Sequence, residues 1–339
     1  MEYRTLGSTG VRVSPLCLGA MMFGAWGNAD HDDSIRVIHA ALDAGINFID
    51  TADVYSSGES EEIVGKALAG RRDDVILASK FHGTMGEQPN RRGNSRRWIL
   101  QEVERSLTRL KTDWIDLYQV HRPEPETDIA ETLGALSDLV HQGKVRYIGS
   151  STFPASQVVE AQWVARKRGL QRFVCEQPPY SLLVRGIEGD LLPTALRHGM
   201  GVIPWSPLAG GWLSGAWRKG QDAPASTRAQ RLPGRYDLSL AANQRKLDAV
   251  EALALLAEEA GIPLIHLAIA FVIHHPAVTA AIIGPRTMEQ LHSQLGAERV
   301  ELTDELLDGI DEIVPVATNV NPSDGGWQDP ALEPAARRR

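Results

Sequence analysis

The sequence predicts an α/β fold, a (β/α)8 TIM barrel with an N-terminal β-hairpin and two extra helices, on three observations. Eight short apolar runs recur along the chain, at 13–19, 47–50, 75–80, 114–121, 145–150, 173–177, 201–205 and 279–284. Segments with helical spacing of apolar residues separate most of them. Strands alternating with helices build a parallel sheet with right-handed crossovers, and eight such units close into a barrel. The turn after the first run, Gly19-Ala20-Met21-Met22-Phe23-Gly24, lacks the G-x-G-x-x-G spacing that an open doubly wound sheet would carry there.

In chain order, Leu6-Gly7-Ser8-Thr9-Gly10-Val11 places a glycine-rich turn between two short runs, a hairpin pattern. The first helix opens with Asp32 and Asp33, acids that suit a helix N-terminus, and stops before Gly45. Helices over 61–68, 95–110, 128–140, 154–168 and 190–197 follow, most ending at a glycine (Gly70, Gly143, Gly169, Gly199). The apolar runs lack polar alternation, as strands covered on both faces do. Three pieces fall outside the repeat. A long polar loop covers 213–236, and a loop of that length after a barrel strand is commonly functional. An extra helix over 243–260 precedes a helix over 264–274, and a last helix over 303–313 is capped by Thr303. Residues 1–315 thus read as one domain and 316–339 as a weakly structured, partly disordered tail, with Trp327 packing back on the body.

Composition narrows the function. Hydrophobic content of 43% and charged content of 23% are those of an ordinary globular chain. A net charge of −8 gives nucleic-acid binding no support, and no apolar run approaches a membrane span. The N-terminal residues lack the basic flank and apolar stretch of a secretory signal. Cys17 and Cys175 both fall in apolar runs, which excludes a disulfide scaffold and reads as two small buried hydrophobes in a cytoplasmic protein. No metal-ligand spacing exists.

The strand ends carry chemistry. Asp50 closes the run at 47–50, Lys80 the run at 75–80 and His121 the run at 114–121, while Tyr55 stands in the loop five residues after Asp50. In a barrel these ends converge on one face. Taken singly, Asp50 reads as a helix cap, Lys80 as a surface residue and His121 as a satisfied core histidine. Together they form an acid–base constellation. A free phenol ionises near pH 10, and a neighbouring ammonium stabilises its phenolate. Lys80 would supply that ammonium, Asp50 would orient it, and His121 would hydrogen-bond a carbonyl oxygen. The result is a proton donor suited to carbonyl reduction by a nicotinamide hydride. Met22 and Trp26, after the first strand, are candidates for the substrate pocket. Asp53 shapes the loop, and Arg91, Arg92, Arg96 and Arg97 read as a solvated basic face.

These residues, with further segments, resemble the aldo-keto reductase family over roughly residues 1–315, in its longer-chain branch related to voltage-gated potassium channel β-subunits and bacterial reductases. The family's Asp, Tyr, Lys and His tetrad falls on Asp50, Tyr55, Lys80 and His121. Gly149-Ser150-Ser151-Thr152-Phe153 resembles its G-x-S-N-F motif, which implies nicotinamide carboxamide contacts at Ser151 and Thr152, with Gln177 as a third. Thr152 stands where the family has Asn and cannot offer an amide's paired groups. The resemblance implies that Trp205 stacks on the nicotinamide and that Ser206, Pro207, Leu208 and Gly210 wrap the pyrophosphate, with Thr227 and Arg228 closing over it. Gly284, Arg286 and Gln290 resemble the segment that holds the adenosine 2′-phosphate, and Gln294 stands where adenine contacts are expected. The implied activity is NADPH-dependent reduction of an aldehyde or ketone; the alternative is an NADP(H)-binding redox sensor or partner subunit with slow turnover. The retained His121 favours catalysis. Some relatives form homo-oligomers, and no interface patch in the sequence decides that question here.

Overall fold

The computed structural model describes residues 1–224, 229 and 231–337. Eight parallel strands form one curled sheet: β3 (Leu16–Gly19), β4 (Phe48–Asp50), β5 (Ile76–Phe81), β6 (Ile115–Val120), β7 (Val145–Ser151), β8 (Cys175–Gln177), β9 (Gly201–Val202) and β10 (Ala281–Ile283). They pair in chain order, and β10 pairs with β3. Bridges Val202↔Val278 and Trp205↔Ile282 join β9 to β10, so the sheet closes on itself. Each strand falls on one of the eight apolar runs, β5 and β7 ending one residue beyond theirs.

The helices between strands are α1 (His31–Asp43), α2 (Glu59–Ala67), α3 (Arg96–Leu110), α4 (Ile129–His141), α5 (Ala155–Arg168) and α6 (Leu191–His198), then α7 (Ala241–Glu259) and α8 (Leu264–His274) before β10. Their limits follow from capping. The Asp30, Ser95 and Asp128 side chains each accept a backbone N–H of the first turn of α1, α3 and α4. Gly169 and Gly199 take the left-handed conformation just past α5 and α6. Between α2 and α3, Gly65 permits close approach: a Cβ there would stand 2.6 Å from the Arg109 carbonyl oxygen. After β10 come α9 (Met288–Gln294) and α10 (Asp304–Ile313), the latter capped by Thr303 as its sequence suggests. α9 was not apparent as a helix, although Thr287 and Gln290 carry a Thr-x-x-Gln start signal. The Thr287 hydroxyl accepts the Gln290 N–H, and Gln290 Oε1 accepts the Arg286 N–H.

The core has two parts. One lies between the sheet and the surrounding helices. The other fills the barrel, where Cys17, Phe48, Ala78, Leu117, Cys175 and Ile203 meet Leu6 and Val13 of the N-terminal hairpin, β1 (Arg4–Thr5) and β2 (Arg12–Val13). The hairpin therefore plugs the N-terminal end of the barrel and leaves the strand C-termini as the open face. Both cysteines are buried and free.

The long loop after β9 is less polar than its composition suggests. Trp212 and Trp217 stack at 4.0 Å, Tyr236 packs parallel to Trp212 at 5.9 Å, and the Tyr236 hydroxyl donates to the Gly210 carbonyl. Thr227 and Arg228 lie outside the described residues. The stretch after α10 is bonded to the body. Arg185 N–H donates to Thr318 O, Val320 N–H to Leu183 O and Asn321 Nδ2 to Asn243 Oδ1, and Asp324 pairs with the buried Lys246 at 2.9 Å. Among the described residues no single helix is long and apolar enough to cross a membrane, and no group of three or more His, Cys, Asp or Glu side chains could hold a metal.

Candidate active site

Six of the eight non-glycine residues with positive φ among the described residues, namely Ser56, Ser57, His82, Thr152, Ser206 and Ala209, follow strand ends on the open face. Strained backbone of this kind concentrates where a site must hold a particular shape.

Asp50 ends β4 and Lys80 lies one residue before the end of β5, and both are buried. The Lys80 ammonium donates to Asp50 Oδ2 at 2.5 Å, to the Thr51 carbonyl at 2.8 Å and to the Tyr55 hydroxyl at 3.1 Å. Burial works against this charge, but Asp50 and the Tyr55 oxygen outweigh it, so Lys80 stays above the usual lysine range. Asp50 Oδ1 accepts from Gln177 Nε2 at 2.8 Å and from Gln119 Nε2 at 3.2 Å. The carboxylate is thus held from both sides.

Tyr55 opens a short 3-10 turn, Tyr55–Gly58, in which Ser56 and Ser57 both have positive φ. Its ring meets the His121 ring edge-on, with centroids 5.7 Å apart. His121 follows β6 and its N–H donates to the Phe81 carbonyl. Burial first, then the positive charges of Lys80 and Arg122, pushes the imidazole well below its usual range. It is therefore neutral near pH 7 and offers one ring N–H.

The four tetrad residues converge as the strand ends implied. Trp26 joins them, its ring 6.1 Å from that of Tyr55. Its loop is tied down by Trp26 N–H to Ser56 Oγ and Ala25 N–H to Glu59 Oε2. Met22 is half-buried and packs beneath Gly27 of the same loop.

Next to this cluster, Ser151 Oγ donates to the Gln177 carbonyl at 2.8 Å, and Thr152 Oγ1 accepts from Arg122 Nη1 at 3.2 Å. Trp205 follows β9, and Arg122 lies over its ring at 6.0 Å. Gly326, after α10, lies against both Trp205 and Thr152. Ser206 and Gly210 adopt positive φ in the turn that also carries Pro207 and Leu208. Farther around the rim, Gly284 is exposed with open space where a Cβ would stand, Arg286 and Gln290 are half-buried at the start of α9, and Gln294 is buried on it.

Sequence reasoning missed three contributors. Gln119 stands two residues before His121, and strand alternation puts both on one face. Arg122 follows His121 directly. Glu176 is fully buried beneath the Ser151–Thr152 turn; it accepts from Ser150 Oγ and from Phe153 N–H at 3.0 Å. Desolvation raises its carboxyl to about 7 against these bonds. A charged residue in a covered strand was the available signal.

Comparison with known proteins agrees with this arrangement. Residues 15–315 match the Aldo/keto reductase family. The chain is 39% identical over 338 residues to "Uncharacterized oxidoreductase YrpG" of Bacillus subtilis (strain 168), covering 96% of this chain and 100% of that one. It is 36% identical over 322 residues to "Probable voltage-gated potassium channel subunit beta" of Oryza sativa subsp. japonica, covering 93% and 97%. It is 34% identical over 338 residues to "Versiconal hemiacetal acetate reductase" of Aspergillus parasiticus, covering 92% and 96%. Since the family match takes in all eight strands of the barrel and every tetrad position, the chain belongs to the aldo/keto reductase family, oxidoreductases acting on carbonyl groups.

Proposed function

We propose that the protein reduces an aldehyde or ketone to the alcohol with NADPH, and that Tyr55 delivers the proton. The observation that carries this reading is the Lys80 ammonium, held by buried Asp50 and donating to the Tyr55 hydroxyl at 3.1 Å. As the phenol gives up its proton, negative charge grows on its oxygen. A positive charge already in hydrogen-bond distance stabilises that change without reorganisation. The neutral His121 ring donates to the substrate carbonyl oxygen beside Tyr55 and polarises it. Trp26 walls the pocket on the Tyr55 side.

The residues present fit a nicotinamide dinucleotide phosphate. Gln177 Nε2 is engaged by Asp50, so its amide oxygen remains to accept from a carboxamide nitrogen. Ser151 donates to the Gln177 carbonyl, which leaves it a lone pair. Thr152 accepts from Arg122, and its own hydrogen, whose one nearby acceptor is Ser151 Oγ at a long 3.3 Å, can turn to a carboxamide oxygen. Thr152 thus provides the donor expected of the family's Asn. Trp205 offers a ring face for stacking, and Ser206 to Gly210 a turn for the pyrophosphate. The space at Gly284 admits a ligand against the backbone. Arg286 suits the 2′-phosphate, and Gln294 Oε1, buried without a partner among the described residues, suits the adenine amine. When bound, the reduced nicotinamide supplies the hydride to the carbonyl carbon.

The test is oxidation of NADPH and of NADH with a panel of carbonyl compounds, in wild type and Arg286→Ala. Turnover with NADPH is expected, and Arg286→Ala should raise the KM for NADPH about tenfold or more while changing that for NADH little. Equal effects on both cofactors remove Arg286 as the phosphate reader. The likeness to a channel subunit beta supports a second reading, a slow-turnover redox sensor. Tight NADPH binding with no turnover on any panel member would favour it.

A further inference from the structure

Arg122 donates to Thr152, but the reaction above makes no use of its charge. It follows His121, is half-buried, and lies over Trp205. Nη1 serves the His121 carbonyl at 2.6 Å and Thr152 Oγ1 at 3.2 Å. Nε and Nη2 have no hydrogen-bond acceptor among the described residues, and no carboxylate there lies within ion-pair distance. Burial pulls the guanidinium below its usual range, and the nearby Tyr55 and Glu176 oxygens act against this. Glu176 forms no ion pair with it, and its oxygens accept from Ser150 Oγ and Phe153 N–H. Three other arginines with little exposure are each ion-paired: Arg72 with Asp116, Arg109 with Glu61 and Glu102, Arg185 with Glu188. An uncompensated guanidinium beside a substrate pocket is costly unless a ligand brings the opposite charge.

We propose that Arg122 is a specificity-determining residue that selects carbonyl substrates carrying a carboxylate, its free guanidinium edge pairing with that group while the carbonyl oxygen lies between Tyr55 and His121. The planar fork of Nε and Nη2 matches the two oxygens of a carboxylate. The proposal rests on the carbonyl-reducing reading of the same site. It gives the pocket two polar ends, with the neutral imidazole and phenol at the carbonyl and the cation at the acid. Trp26 on the Tyr55 side supplies an apolar wall.

The experiment compares kcat/KM for succinic semialdehyde with that for butanal, a neutral analogue of the same chain length, using NADPH and the wild type, Arg122→Lys and Arg122→Gln. Gln can still donate to Thr152 but carries no charge. The readout is the acid-to-neutral ratio, in which any shared loss through Thr152 cancels. A charge-assisted bidentate contact predicts a wild-type ratio above one that falls about tenfold in Arg122→Gln, chiefly through the KM for the acid, and is largely kept in Arg122→Lys. A wild-type ratio near one, or a ratio unchanged in Arg122→Gln, overturns the proposal. Reduction of neither aldehyde by the wild type counts against the reductase reading instead. Calorimetric titration of succinate into the NADP+-loaded protein then decides: weaker binding by about tenfold in Arg122→Gln supports the anion subsite, and equal affinity overturns it.

Discussion

At Lys80 the cost of burying an ammonium is offset by an ion pair and two further acceptors, and the same bonds place the charge on Tyr55. Glu176 shows the opposite balance, a buried carboxyl with hydrogen bonds but no cation in contact. Its folded value of about 7 lies above the ordinary 4.5, so the folded chain holds a proton that the unfolded chain releases between those values. That contribution to stability is complete below the unfolded value and is lost as pH rises toward 7. Glu176→Gln keeps an acceptor for the Phe153 N–H and cannot ionise. Its melting temperature should therefore gain on the wild type progressively from about pH 5 to about pH 8; a difference constant across that range would contradict the assignment. Residues of this kind show where sequence reading stops. Asp50, Lys80 and His121 were legible because strand ends in a barrel share a face. Gln119, Glu176 and Arg122 act through side-chain partners on other strands, and pairing of that sort has no local sequence pattern.

At the scale of elements, helices and strands followed from periodicity and from caps such as Thr303 and Gly169, because those signals are local. α9 has a weak sequence signature, because seven residues span barely two turns and show too few apolar positions for a periodicity. The stretch after α10 was harder still. Its anchors are polar residues that meet partners far away in the chain, Asn321 with Asn243 and Asp324 with Lys246. Lys246 is 1% exposed and also donates to the Arg235 carbonyl. Asp324→Ala would leave this ammonium without its carboxylate. We expect a loss of about 2 kcal/mol, less than the ~3–5 kcal/mol of a fully enclosed pair because the carbonyl remains. Replacing Lys246 by Met in that background should recover part of it. Denaturant unfolding of the single and double variants measures both values, and an Asp324→Ala variant as stable as wild type would show that the contact does not hold the segment.

For the molecule as a whole, the eightfold alternation was enough to read the barrel, because a parallel sheet covered on both faces leaves continuous apolar runs. Which end of the barrel stays open depends on the hairpin: Leu6 and Val13 close the N-terminal end, so polar side chains gather at the other. Pocket walls were less legible, since Trp26 reaches Tyr55 only through loop bonds to Ser56 and Glu59. The central claim is that this open end is a carbonyl-reducing site in which Tyr55 gives the proton. Tyr55→Phe removes one oxygen and leaves the ring packed on His121 and Trp26. The direct measurement is steady-state turnover of that variant alongside NADPH binding followed by fluorescence. Proton delivery by Tyr55 predicts unchanged cofactor affinity with kcat reduced about 10²–10⁴-fold; a wild-type kcat in Tyr55→Phe would rule it out.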